Sequence, residues 1–178
     1  TSDTCLLFGA QQTSKDILVS NKSSKNLQSF KEGLKEVMAS LSRQIITDGE
    51  GISKLISVSV NGATSTNAAR NIGMTVINSP LVKTAIAGED PNWGRLVMAV
   101  GRSGENIDVQ NMEIRFGGHL VASAGERSKS FDERTVSEYM KNDEIDIIIH
   151  VGLGSGMATV WGCDLTHNYI DINADYRS

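Results

Sequence analysis

A glutamate standing between two glycines is the first place where this chain offers a side chain for chemistry. In Asp48-Gly49-Glu50-Gly51 the glycines let the backbone turn tightly and leave the Glu50 carboxylate projecting. Such a group is either a solvated turn residue or the partner of a substrate ammonium, held by a charge-assisted hydrogen bond. A second concentration of polar groups runs from Lys83 to Arg95, KTAIAGEDPNWGR. Gly88, Pro91 and Gly94 break regular structure there, and Glu89, Asp90, Asn92 and Trp93 crowd into the break. The pattern reads as a shaped loop between two helices, with Asp90 opening a turn before Pro91.

The other reactive side chains carry weaker patterns. A phosphate-binding reading of Gly152-Leu153-Gly154-Ser155-Gly156 needs a helix after the glycines. Met157-Ala158-Thr159-Val160-Trp161 follows instead and reads as a strand, so a glycine-rich hairpin is expected. His119, His150 and His167 do not form a metal-ligand spacing. His150 closes an apolar run and is expected to be a hydrogen-bonded sheet histidine. Asp164 and His167 can form a pair, but no nucleophile is tied to them. The two cysteines, Cys5 and Cys163, lie in apolar surroundings outside any C-x-x-C motif, and are expected to be buried thiols in a reducing compartment.

These groups must be positioned by helices and strands in alternation. Thr4–Ala10 reads as a short buried apolar segment, and Gln11–Lys25 as a flexible polar connection. From Leu27, apolar residues at Phe30, Leu34, Val37, Met38, Leu41 and Ile45 recur at helical spacing, with Ser24 or Asn26 as the cap and Gly49 at the end. Ile52–Val60 alternates as a strand, with a turn signal at Asn61-Gly62. Helices are expected over Thr66–Asn78, Leu81–Ala87, Gly94–Val100 and Asp132–Met140. Strands are expected over Met112–Phe116, His119–Ala122, Ile145–Val151, Met157–Leu165 and finally Tyr169–Asn173. Early strands separated by helices, followed by strands in adjacent pairs, give an α/β fold: a mixed sheet packed with helices in a layered sandwich.

Composition excludes some partners. With 178 residues the chain is compatible with one domain. A formal net charge of −4 with interspersed signs gives no basic footprint for nucleic acid. No apolar run is long enough to span a bilayer, and no charged-then-apolar leader opens the sequence.

The polar loop and its neighbours resemble a known family. KTAIAGEDPNWGR followed by LVMAVGRSG is similar to the signature of the ornithine acetyltransferases, also called glutamate N-acetyltransferases or the ArgJ family. Asp48-Gly49-Glu50-Gly51, Asn78-Ser79-Pro80-Leu81-Val82 and the C-terminal Ile172-Asn173-Ala174-Asp175-Tyr176-Arg177-Ser178 agree with it, so the resemblance runs from about Thr4 to Ser178. It implies acetyl transfer from N-acetylornithine to glutamate in arginine biosynthesis, through a threonine acetyl ester and without a metal or organic cofactor. It also implies that Glu50, Asn173 and Ser178 contact substrate, while Lys83 and the Glu89–Trp93 loop receive no assigned role. Some relatives accept acetyl-CoA as donor, and related enzymes of other pathways use another acceptor.

The family's precursor cleaves itself before the threonine that becomes the nucleophile. Thr1 begins this chain, but Thr1-Ser2-Asp3-Thr4-Cys5-Leu6 resembles a segment downstream of that threonine. The resemblance therefore makes residues 1–178 the C-terminal part of a larger self-cleaved enzyme: a second (beta) chain lacking its N-terminal segment and holding no catalytic residue. Its partner is the first (alpha) chain of the same precursor, in a cytoplasmic heterotetramer. Two other readings remain open: an N-terminal-threonine amidohydrolase using Thr1, and a non-catalytic amino-acid-binding subunit.

Overall fold

The computed structural model describes residues 4–9 and 25–174, which fall into two compact units, one up to Ser42 and one from Arg43. In the first unit, residues 4–9 form neither helix nor strand and are exposed, Phe8 at 85 %. This corrects the expectation of a buried segment and of a buried Cys5, whose sulfur lies 3.7 Å from the Met38 sulfur on an exposed surface. Helix α1 (Lys25–Thr47) has the expected apolar stripe, yet none of its residues is buried. Patterning marks a surface that favours cover without supplying what covers it. The expected connection over residues 11–25 falls almost wholly outside the described residues.

The second unit is built on β1 (Leu55–Ala63). After β1 come α2 (Thr66–Ile77), α3 (Pro80–Ala87) and α4 (Trp93–Gly101), a 3-10 turn at Val109–Asn111, and the strands β2 (Glu113–Phe116), β3 (His119–Ser123) and β4 (Glu126–Arg127). Helix α5 (Glu133–Tyr139), strands β5 (Glu144–His150) and β6 (Gly156–Cys163), and helix α6 (His167–Ala174) complete the order. The sheet runs β4-β3-β2-β5-β1-β6, with β1 parallel to β5 and the other neighbours antiparallel. The α/β class and the mixed sheet agree with the sequence.

Alternation decides which face is covered. Ile56, Val58 and Val60 on β1 and Ile145, Ile147 and Ile149 on β5 are fully buried, while the residues between them are polar or half-exposed. Helix α2 lies over β1 and β6, with Gly73 against Val60 and Val160, and α4 lies beside α2. Ser65, Ser79, Asn92 and Asp132 cap α2, α3, α4 and α5 with side-chain oxygens, each accepting a backbone N–H of the first turn. On the other face the pairs are polar: Ser57 donates to Asp146 (2.5 Å), and Ser59 meets Thr159 (3.0 Å).

Three expectations change. Strand β1 continues through Asn61-Gly62, where a register shift makes a bulge in place of the expected turn. The run from Gly152 to Gly156 is not a hairpin, because β1 lies between β5 and β6. It crosses the end of β1 instead, the N–H groups of Leu153 and Gly154 both donating to Gly62 O (2.7 and 2.8 Å). A Cβ on Gly156 would lie 2.3 Å from the Ser65 carbonyl carbon, so the crossing requires residues without side chains. Finally, Tyr169–Asn173 lies in helix α6, not a strand: the chain leaves the edge strand β6 and turns against the backbone of the Gly51 turn.

Tyr139 links α5 to the sheet, its hydroxyl accepting the Asp146 N–H at 2.9 Å. Burial pushes this phenol above its ordinary value. The Asp146 N–H opposes that shift, and the Asp146 charge adds to it. A raised value means the folded state holds the proton more tightly, so this contribution is complete below the unfolded value of about 10 and is lost as pH rises through the folded one. Tyr139→Phe should flatten the alkaline decline of the melting temperature. Ile147→Ala, at the centre of the sheet, should cost about 2–5 kcal/mol in urea denaturation.

Candidate functional site

The β1–β6 ladder ends where Leu55 faces Cys163. Just past it, the segment entering β1 and the segment leaving β6 are bonded side by side. Asp164 N–H donates to Lys54 O (3.2 Å), and Asp164 Oδ1 accepts from Ser53 N–H (2.9 Å) and Lys54 N–H (3.1 Å). The Ser53 hydroxyl donates to Asp164 Oδ2 at 2.5 Å. Asp164 is 2 % exposed, and a carboxylate so buried is tolerated because three donors converge on it. It is therefore committed to Ser53 and Lys54 and not to His167, which corrects the expected pair.

Two residues further on, the Thr166 hydroxyl donates to Gly51 O. Gly51 has φ +68°, a left-handed conformation, and a Cβ there would lie 2.4 Å from Tyr169 N. The turn after Glu50 thus lies directly against the backbone of α6. From α6, Asn173 Nδ2 donates to Glu50 Oε2 (3.2 Å) and to Tyr169 O (2.9 Å). Glu50 and Asn173, 123 positions apart, are both exposed. Together they present carboxylate and amide oxygens as acceptors, a combination suited to the ammonium group of an amino acid, while both N–H of the Asn173 amide are engaged within the protein. Beside α6, Thr84, Gly88, Leu165, His167 and Ile170 help line a largely apolar cleft of about 300 Å³.

The polar loop is braced to this region. Lys54, 6 % exposed, donates its ammonium to Glu89 Oε1 (3.3 Å) and to Asn142 O (3.1 Å). Glu89 adopts φ 56°, uncommon for a residue with a side chain, and its N–H donates to Ile86 O (3.0 Å). Asn92 accepts from Arg95 N–H and donates to Asp90 Oδ2 (2.9 Å), while Arg95 donates to Leu81 O (2.8 Å), tying α4 to α3. The Lys83 ammonium lies 3.8 Å from Cys163 Sγ, and Leu165 N–H donates to Lys83 O (3.3 Å). Cys163 is half-buried, not fully enclosed as expected. His150 meets the sequence reading: its Nδ1 lies 2.5 Å from Asn61 Oδ1 across the β1–β5 pair.

Comparison with known proteins gives one family throughout. A family model described as the ArgJ family matches residues 1–178. The chain belongs to the ArgJ family. It is 51 % identical over 178 residues to the arginine biosynthesis bifunctional protein ArgJ of Zymomonas mobilis, covering all of this chain and 43 % of that protein. The protein of the same name from Agrobacterium fabrum is 46 % identical over 180 residues, with 44 % of its length covered. The chain thus spans less than half the length of these curated relatives. Among solved structures, the Bacillus halodurans ArgJ protein superposes with a TM-score of 0.83 at 35 % identity, covering 88 % of this chain and 73 % of that one.

Of the three residues that the ArgJ resemblance assigns to substrate, Glu50 and Asn173 are brought together, and Ser178 lies outside the described residues, as does Thr1. Sequence reasoning missed Ser53, Lys54 and Thr166, which carry no motif, and gave Asp164 the wrong partner. No group of three or more His, Cys, Asp or Glu side chains able to hold a metal occurs among the described residues. Gly51→Ala should cost on the order of 2 kcal/mol in a denaturation midpoint. A crystal structure of that variant should show Asn173 Nδ2 beyond bonding distance of Glu50.

Proposed function

We propose that this chain is part of an acetyltransferase of arginine biosynthesis that moves an acetyl group from N-acetylornithine to glutamate. The observation that carries the reading is the Glu50–Asn173 pair, formed by two residues that the family resemblance places at substrate and that are remote in sequence. In the proposed reaction a threonine hydroxyl outside this segment attacks the acetyl carbonyl. The C–N bond breaks, ornithine leaves with the proton on its amine, and an acetyl ester remains. The glutamate amine then attacks that ester, and the threonine hydroxyl is restored. Glu50 pairs with a substrate ammonium, the Asn173 amide oxygen accepts from the same group, and Ser178 completes the contacts.

On this reading the nucleophile and the oxyanion donors come from elsewhere in the polypeptide, and the alpha chain of the same precursor is the partner in a heterotetramer. The relative lengths support a two-chain organisation. The matched region is 73 % of the solved Bacillus chain but only 43 % of the Zymomonas protein, so the solved chain is much the shorter of the two. No helix among the described residues is long and apolar enough to cross a membrane. We place the enzyme in the cytoplasm, in keeping with a biosynthetic role and with the free thiols of Cys5 and Cys163.

Intact-mass spectra of the complete protein before and after brief exposure to N-acetylornithine test the reaction. An acetyl increment on a peptide outside this segment is expected, and an increment mapped to Thr1 would reassign the nucleophile. Glu50→Ala in the complete enzyme should raise KM for the amino-acid substrates about tenfold or more. Unchanged steady-state kinetics would remove Glu50 from the site.

A further inference from the structure

Asp164 takes no part in the proposed chemistry, yet its bonds converge on the segment that carries Glu50. Helix α6 has no fully buried residue, and its Tyr169, Ile170 and Ile172 are only partly covered, so apolar packing alone holds it weakly. What holds it is polar and local: the Asp164 carboxylate on Ser53 and Lys54, the Thr166 hydroxyl on Gly51 O, and Asn173 on Glu50. We propose that Asp164 is a positioning residue for substrate binding, setting Glu50 against Asn173 by locking the turn before β1 to the base of α6. The proposal rests on the reading of Glu50 and Asn173 as substrate contacts.

The geometry gives the lock its leverage. Asn173 stands six residues beyond His167, the first residue of α6, roughly 9 Å along the axis. A tilt of about 10° at that base carries Asn173 by roughly 1.5 Å, enough to break a hydrogen bond of 3.2 Å. Glu50 lies three residues before Ser53 and is subject to the same anchor. A carboxylate suits the position because its two oxygens accept from two N–H groups and one O–H at once, whereas a carboxamide has a single acceptor oxygen. The competing view is that Asp164 only terminates the β1–β6 ladder, in which case its loss lowers stability and leaves substrate affinity alone.

Steady-state kinetics of the complete enzyme separate the two views, using Glu50→Gln, Asp164→Asn, Ser53→Ala and the Glu50→Gln/Asp164→Asn double variant. KM for the amino-acid substrates should rise about tenfold in Glu50→Gln and roughly three- to tenfold in Asp164→Asn. The double variant should fall short of the product of the two single effects, because part of what Asp164 sets is the placement of a carboxylate that is gone. Ser53→Ala, which removes only the hydroxyl bond, should shift KM the same way by a smaller factor and serves if Asp164→Asn does not fold. The inference is overturned if Asp164→Asn and Ser53→Ala lower the unfolding midpoint with KM at its wild-type value, or if the two KM effects multiply in the double variant. A Glu50→Gln enzyme with unchanged KM gives a different pattern: it removes the substrate reading itself, and the inference with it.

Discussion

Strand β1 pairs along both of its edges, parallel to β5 and antiparallel to β6, and the rest of the second unit is fitted to that arrangement. Its buried Ile56, Val58 and Val60 meet the isoleucines of β5 on one face, where α2 closes over them. Pairing on both sides leaves β1 no freedom of register, since a slip of one residue would turn its apolar set to the polar face. The two ends of β1 then become fixed points. At one end the glycine run crosses from β5 to β6. At the other, the turn carrying Glu50 enters the strand.

The site lies where this rigidity gives out. The ladder stops at Leu55 and Cys163, and the next residues are joined by one backbone bond and a buried carboxylate. Beyond them the chain turns into a short helix without a buried face. The gradient runs from a packed sheet, through a buried polar lock, to an exposed pair of side chains. It suits a ligand contact, which needs accessible groups held by a firm base. The Lys54–Glu89 pair extends the same base to the family's signature loop, so that loop braces the scaffold through its side chains. Its polarity is thus accounted for by bonds within the protein, among them Asn92 to Asp90 and Arg95 to Leu81.

Much of the fold was legible in the sequence because period and punctuation act locally. Helical spacing marked α1 and α2, composition marked α5, alternating β-branched residues marked β1, and a strongly apolar run marked β5. The serine, asparagine and aspartate caps stand where the helices begin. The family, and the roles proposed for Glu50 and Asn173, came from motif resemblance, since an exposed glutamate or asparagine carries no periodic signal of its own.

What the sequence determined by itself was the class of fold and the family, because both reside in patterns spanning a few dozen residues or fewer. What only the tertiary structure decided was adjacency. The glycine run could not be seen as a crossing until β1 was known to lie between β5 and β6. The last segment read as a strand until the fold set its backbone against the Gly51 turn as a helix. In sequence Asp164 could pair with the nearby His167, and it became the lock on Ser53 and Lys54 only when separations of 111 and 110 positions were folded away. Local bonding preferences are written in neighbouring residues, whereas a buried carboxylate takes whichever donors the packed chain brings to it.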